Sequence, residues 1–341
     1  MEFNVIKLRY DFSEYVYYLQ AEDILPATSI VWEECYNRIG KCQIVLPRSV
    51  ERAKNIALND WIYIQGAKTL MMIHGIKYTD TEIWLYGYEA KGYMQKVGMT
   101  LSGFLGGTEP LSTTAIRAWV TMAEFTEVLA GEEYTVPTMR TATVDALDAL
   151  DLYHFLEQVC DLDNCGLRLS FDRDASRMLK LEVYRGADKS DTARFAPALG
   201  NIRGIEYSQD NQNNVRSVLV VGMDGNDEVL ISAGGGVDSL YSRYIVDLRT
   251  EYPRPDDMTR AEYDAALMTR AQATLNARST RTKFEVKNID TRDYSTKYEL
   301  GDIVRVEVPE LNISRRSRVK TVRRTIEGSR EKIDIDLGEW M

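Results

Sequence analysis

The sequence predicts a mainly β fold, α+β overall, on three observations. The first is an internal repeat. Leu58-Asn59-Asp60-Trp61-Ile62-Tyr63-Ile64, then Met72-Ile73-His74-Gly75-Ile76-Lys77-Tyr78, then Glu82-Ile83-Trp84-Leu85-Tyr86-Gly87 has a counterpart near the other end. That counterpart is Leu300-Gly301-Asp302-Ile303-Val304-Arg305-Val306, then Arg318-Val319-Lys320-Thr321-Val322-Arg323-Arg324, then Lys332-Ile333-Asp334-Ile335-Asp336-Leu337-Gly338. Each copy reads as a polar turn, two strands, a turn and a third strand. The second observation is period-two alternation, as in Cys42, Ile44 and Leu46 or in Leu179-Lys180-Leu181-Glu182-Val183. The third is aromatic usage: 20 Tyr against 8 Phe. Tyrosine suits a pleated, half-buried surface and equally a surface in contact with a partner.

At 341 residues the chain exceeds what one core usually supports. The expected organisation is a first β domain over 1–97, an α+β insert over 98–195 and a second β domain over 196–341. In the first, Val5-Ile6-Lys7-Leu8, Tyr15-Val16-Tyr17-Tyr18-Leu19, Ile30-Val31-Trp32 and Cys42 to Leu46 read as strands of a small antiparallel barrel or sandwich. Val50, Ala53, Ala57 and Leu58 predict a short helix before the first repeat copy. Residues 98–114 are rich in Gly, Ser and Thr and read as a loop. The insert then carries a helix over 113–129 (Ile116, Trp119, Val120, Ala123, Val128), a second over 151–160 capped by Asp151, and a hairpin over 167–184 turning at 172–176.

In the last domain Val218-Leu219-Val220-Val221 is apolar on both faces and predicts a central buried strand. Glu228-Val229-Leu230-Ile231 and Tyr244-Ile245-Val246 are further strands, with a Gly234-Gly235-Gly236 tip between them. Thr259 and Glu262 form a capping-box pattern opening a helix over 260–278, striped by Tyr263, Leu267, Ala271 and Leu275. Phe284-Glu285-Val286 leads into the second repeat copy.

Charge and composition exclude several classes. A net charge of −10 argues against a chain that binds nucleic acid through its phosphates. No run of 18 apolar residues occurs, so no membrane insertion is expected. The start, Met1-Glu2-Phe3-Asn4-Val5, has neither a basic region nor an apolar stretch of signal type, so synthesis in a cytosol without a signal peptide is expected. Cys35, Cys42, Cys160 and Cys165 lack zinc-knuckle spacing and read as buried free thiols.

No residue is nominated as catalytic, cofactor-binding or metal-ligating, and no cofactor is expected. His154 with Cys160 and Cys165 lacks a fourth ligand, and His74 reads as a packed strand residue. Two histidines leave little room for a nucleophile pair. The acids Asp145, Asp148, Asp151, Asp161, Asp163, Asp172, Asp174, Asp334 and Asp336 sit in turns, at caps or on strands. Two of them facing across a cleft would make a cell-wall glycan hydrolase, which is the alternative reading. The aromatic content allows a glycan-binding module as a further one. The one basic cluster is Arg315, Arg316, Arg318, Lys320, Arg323 and Arg324. Period two places Arg318, Lys320 and Arg324 on one face, which could grip an acidic subunit or a phosphate, or defend an edge strand by charge.

Trp32, Gly40-Lys41-Cys42-Gln43-Ile44-Val45-Leu46-Pro47 and Asn59-Asp60-Trp61-Ile62-Tyr63-Ile64 resemble the opening of siphovirus tail-tip proteins of the ReqiPepy type. Leu199-Gly200-Asn201-Ile202-Arg203-Gly204-Ile205-Glu206-Tyr207, with Val218-Leu219-Val220-Val221-Gly222, and the ending Tyr298-Glu299-Leu300-Gly301-Asp302-Ile303-Val304 through Gly338 are similar to them too. The resemblance implies a tail or baseplate hub of bacteriophage or prophage, located in the virion. It implies two antiparallel β-barrel, tube-type domains per chain, with the α+β insert between them. It also implies a homotrimer that adapts a six-fold tail tube to a three-fold spike or fibre. The partners would be distal tail, tail tube and spike or fibre proteins, and DNA would pass through the lumen without sequence-specific binding. A structural role without enzymatic activity is expected.

Overall fold

The structure, a computed structural model, describes residues 2–11, 16–97, 108–123, 134–143, 151–171, 179–210, 215–234, 243–278, 281–288 and 294–340. The first seven strands are β1 (Glu2–Asp11), β2 (Val16–Pro26), β3 (Ser29–Cys35), β4 (Lys41–Pro47), β5 (Trp61–Tyr63), β6 (Met71–Tyr78) and β7 (Glu82–Glu89). Period-two patterning decides which face is inside. Cys42, Ile44 and Leu46 of β4 and Ile83 and Leu85 of β7 are buried against Phe3, Leu25, Trp32 and Ile62. The same phase carries Glu89 into the interior. The helix expected after β4 is a single 3₁₀ turn, Glu51–Asn55. Only Ala53 in it is buried, too narrow a stripe to anchor an α-helix.

The middle of the chain supplies β8 (Thr108–Pro110), α1 (Leu111–Ala123), β9 (Tyr134–Thr135), β10 (Thr141–Thr143), α2 (Leu152–Leu162), β11 (Gly166–Phe171) and β12 (Leu179–Tyr184). Residues 98–107 of the expected loop, 124–129 of the expected helix and the hairpin turn 172–176 lie outside the described residues. Asp151 caps α2 by accepting from the His154 amide at 2.9 Å. Trp119, Phe155, Leu156, Leu167 and Leu181 share one core with Ile6, Trp61 and Met72, so this region packs on the back of the first sheet.

The remainder comprises β13 (Arg194–Phe195), β14 (Ile202–Asp210), β15 (Ser217–Asp224), β16 (Asp227–Gly234), β17 (Arg243–Asp247), α3 (Arg260–Ala277), β18 (Arg281–Asn288), β19 (Ile303–Val308), β20 (Ile313–Glu327) and β21 (Arg330–Trp340). The capping box is formed: the Thr259 side chain accepts from the Glu262 amide, and Glu262 accepts from the Thr259 amide at 2.8 Å. β15 is the middle strand of a separate three-stranded sheet, flanked by β16 and β17. Val218 and Val220 are buried with Tyr263 and Leu267 of α3, whereas Leu219 and Val221 are half-buried. The expected two-sided burial therefore fails. One face meets the helix, and the opposite face leaves Leu230 and Ile245 more than half exposed.

The large sheet reads β14-β18-β21-β20-β3-β4-β7-β6-β5-β1-β2, with β19 on β20 and β13 on β19. Within it one five-strand order occurs twice. β5-β6-β7-β4-β3 and β19-β20-β21-β18-β14 are both antiparallel throughout and run through the chain in the same sequence. In the first set a short turn joins β3 to β4. In the second, the small sheet and α3 are inserted at that point. β20 is long enough to serve both halves: its first part pairs β19, and Thr321–Glu327 pairs β3.

The likeness extends to single hydrogen bonds. Asn59 and Gly301 both have positive φ, 70° and 95°. The Asn59 amide donates to Ile73 O at 2.8 Å, and the Gly301 amide to Val319 O at 2.9 Å. Ile73 N donates back to Asp60 O, and Val319 N to Asp302 O, both at 2.9 Å. A β-bulge follows in each case, between Ile73 and Gly75 and between Val319 and Thr321. The turn aspartates also match: Asp60 accepts from the Ala57 amide at 2.8 Å and Asp302 from the Glu299 amide at 2.9 Å. Asp302 accepts a second amide, Ala187 N, at 2.7 Å. Asp302→Ala leaves two amides without acceptors and should cost about 2–3 kcal/mol, against about 1 kcal/mol for Asp60→Ala. Urea midpoints of the two variants check this.

Candidate functional site

The residues with the most unusual surroundings gather where the first sheet, the α2–β11 region and the second repeat copy meet. Tyr36 lies at the centre. Its amide donates to Lys320 O and its carbonyl accepts from Leu167 N, both at 2.8 Å. Its hydroxyl faces three carbonyls, Asn164 O at 2.8 Å, Tyr184 O at 3.0 Å and Arg185 O at 3.2 Å. One O–H proton is shared among them. Burial pushes the phenol well above its ordinary pKa, so it remains a donor. The ring is held between Gly166 and Gly301, where no Cβ fits: one on Gly301 would stand 2.7 Å from the Tyr36 ring. Tyr184 meets the ring edge-on at 5.2 Å. The Arg318 guanidinium lies 5.1 Å from the ring centre and donates to Gly301 O at 2.6 Å and to Arg185 O. Tyr36→Phe keeps the packing and should cost about 1 kcal/mol, read as a small fall in urea midpoint.

Beside this tyrosine is a buried ion pair. Glu89 and Lys91 approach to 3.0 Å with side chains almost wholly excluded from solvent. Glu89 also accepts the Gly40 amide at 2.6 Å and the Cys35 amide at 3.2 Å. Lys91 donates to Cys35 O and, at 3.1 Å, to Leu167 O. Burial raises the Glu89 pKa, opposed chiefly by Lys91 and the Gly40 amide. Both ions thus have hydrogen-bonding partners, and together they tie the end of β3 to β11.

The sequence candidates fall elsewhere. Period two fails in the basic strand because of its bulges: Val319 and Val322, three apart, are both buried. Lys320 and Arg318 both lie over the Tyr36 ring, 4.7 Å and 5.1 Å from its centre, whereas Arg324 turns to Gln65 O, so no common exposed face forms around the buried Arg318. Its neighbours are neutralised within the chain. Arg323 pairs with Glu33, Arg324 with Glu331 at 2.8 Å, and Arg316 with Asp188 at 3.1 Å. His74, expected to be packed, is exposed at the bulge and stacks on Tyr88 at 5.6 Å. His154 bonds Asp151 at 2.7 Å on the surface, while Cys160 is in the core, so these two do not converge.

Cys35 and Cys42 are buried, and desolvation pushes each thiol up to about 12, so neither is a thiolate nucleophile. Asp163 pairs with Arg185, and Asp334 with Lys332 at 2.6 Å. Asp161 is hydrogen-bonded by Asn37, and burial raises its pKa. Asp145, Asp148, Asp172 and Asp174 lie outside the described residues. Among the described residues no three His, Cys, Asp or Glu side chains gather as a metal site, and no helix is long and apolar enough to cross a membrane. The junction residues Tyr36, Gly166, Glu89 and Lys91 escaped the sequence reading as a site, and Gly301 entered it only as a turn residue of the repeat. Of the first four only Glu89 left a trace, as a charge in the apolar phase of β7. The arrangement holds three segments in one geometry and presents no activated nucleophile.

The profile of the Siphovirus ReqiPepy6 Gp37-like protein family matches residues 94–339, and the chain belongs to that family. No curated protein matches it in sequence. Its fold is similar to that of the tail protein from Neisseria meningitidis MC58, with a TM-score of 0.61 at 13% identity over 98% of this chain and 96% of that one. The 43 kDa tail protein of prophage MuSo2 from Shewanella oneidensis gives 0.61 at 10% identity, over 99% and 98% of the two chains. Prophage tail protein gp18 from Listeria monocytogenes EGD-e gives 0.55 at 11% identity, over 99% and 94%.

Proposed function

We propose that this chain is a structural hub of a phage tail tip or baseplate and acts by geometry rather than catalysis. The observation that carries the reading is the doubled five-strand order with matched turns and bulges. Two equivalent units per chain let three chains present six similar surfaces to a tail tube and three to a spike or fibre, within one closed ring. In this reading each five-strand set is the wall of a tube-type barrel. Residues 1–97 and 196–341 build the two units, and 98–195 form an insert between them. The Tyr36 junction and the Glu89–Lys91 pair then fix the angle between units, which a ring requires to be constant. DNA would pass through the lumen, and a net charge of −10 would keep it from adhering. The partners would be distal tail, tail tube and spike or fibre proteins in the virion.

Purified chain at high concentration should show three chain masses by native mass spectrometry. Class averages should show a ring with six similar lobes, and the ring should bind distal tail or tube protein. A monomer at every concentration that binds neither would overturn this reading.

A further inference from the structure

The two repeat units are joined by a specific strand contact, and the chain carries both halves of that contact a second time, unused. In the join, the outer edge of β3 takes the last part of β20. The unit equivalences identify the counterparts. β14 stands in the second unit where β3 stands in the first, and β6 stands in the first where β20 stands in the second. Among the described residues β14 is bonded only to β18. On its β5 side, β6 is bonded through Met71, Met72 and the turn at Ile73, and among the described residues Gly75 to Tyr78 have no backbone partner there. These are open hydrogen-bonding edges, and they are the two edges that a repeat of the β3–β20 join would consume.

We propose that β14 of one copy pairs antiparallel with Gly75–Tyr78 of the next, repeating between chains the join that β3 and β20 make within one. This deepens the hub reading and rests on it. The occupant is a second copy, because the missing partner of each edge is the other edge of the same sequence. One chain supplies β14 and its neighbour supplies β6, so the contact is head-to-tail, the kind that builds a ring when its rotation closes.

The register follows from the pairings already given. Gly75, Ile76, Lys77 and Tyr78 oppose the same strand positions on β7 as Thr321, Val322, Arg323 and Arg324 do on β21. Through β4 and β18, Trp32 and Val31 correspond to Tyr207 and Glu206. The join between copies therefore sets Lys77 opposite Ser208 and Tyr78 opposite Tyr207. Tyr78 is 53% exposed, and this contact would cover it.

The two joins are not equal. Within the chain the pairing runs from Thr321 to Glu327 and carries the Arg323–Glu33 ion pair. Between copies β6 ends at Tyr78, and a serine occupies the position of Glu33. The inner join is long and charge-paired, and the outer one is short and lacks the acid. Chains should therefore fold singly and close into a ring as concentration rises.

The test uses the full chain with paired cysteines, Lys77→Cys with Ser208→Cys, and separately Tyr78→Cys with Tyr207→Cys. Directly opposed positions on adjacent strands lie within disulfide reach. The four natural cysteines are buried and stay out of the reaction. Mild oxidation should give covalent dimers and trimers and nothing larger. Mixing chains carrying only Lys77→Cys with chains carrying only Ser208→Cys should stop at dimers, the mark of a head-to-tail contact. A third variant, Ser208→Glu, restores the acid and should tighten the ring about two- to five-fold by mass photometry. A native trimer that neither cysteine pair captures, in variants with wild-type circular dichroism, overturns the strand pairing and leaves the hub reading intact. A monomer at every concentration overturns the strand pairing, and one that also binds neither distal tail nor tube protein overturns both.

Discussion

Lys91→Met is expected to destabilise the protein by about 3–5 kcal/mol, because it leaves the Glu89 carboxylate buried with no counter-ion. Methionine matches the lysine stem in length, so little packing is lost. What disappears is the ammonium 3.0 Å from Glu89 and its bonds to Cys35 O and Leu167 O. The pH dependence distinguishes this from simple cavity formation. Burial already holds the Glu89 pKa above its ordinary value of 4.5, and Lys91 is the leading influence against that rise. Without Lys91 the folded-state pKa climbs further. A carboxyl whose pKa is raised by folding favours the folded state while protonated, and that contribution is lost as pH rises through the folded value. The deficit of the variant should thus be largest at neutral pH and shrink toward pH 4.5. Adding Glu89→Gln removes the charge and should recover part of the loss at pH 7. Urea unfolding at several pH values reads all of this, and a deficit constant with pH would refute it.

Gly301→Ala should cost about 2–5 kcal/mol, the sum of left-handed strain and overpacking. The backbone there has φ of 95°, and the new methyl would stand 2.7 Å from the Tyr36 ring and 2.8 Å from Tyr184. The matched turn of the first repeat provides the control. Asn59 has φ of 70° and is exposed, so Asn59→Gly should change stability by less than about 1 kcal/mol. If the ring contact matters, Tyr36→Ala should make Gly301→Ala far less costly, and a double-mutant cycle on urea midpoints measures that coupling. Additive effects would leave backbone strain as the whole cause.

The repeat was legible in sequence because its turns have a chemistry. Asn59-Asp60 and Gly301-Asp302 each combine a residue tolerant of positive φ with a carboxylate that accepts the amide three residues earlier. The helix caps at Asp151 and Thr259 were legible for the same local reason. Long-range features were hidden. Nothing near Ser29 or Thr321 signals that their strands pair, with almost the whole chain between them. A bulge adds one residue and reverses the phase after it, which is why the inward turn of Arg318 and the outward turn of His74 escaped a period-two reading. Glu89 and Lys91 look like surface charges until the partners that neutralise them are in place. The separate small sheet was obscured because Leu219 and Val221 are as apolar as their buried neighbours.

The β3–β20 seam has a consequence for biosynthesis. β3 leaves the ribosome long before its partner β20 is translated. A nascent chain therefore carries an uncapped strand while every segment between the two is made, and contacts of such wide sequence separation form slowly. Premature termination before Ile313 would release a polypeptide with a permanently sticky margin, prone to aggregate rather than to join a growing particle.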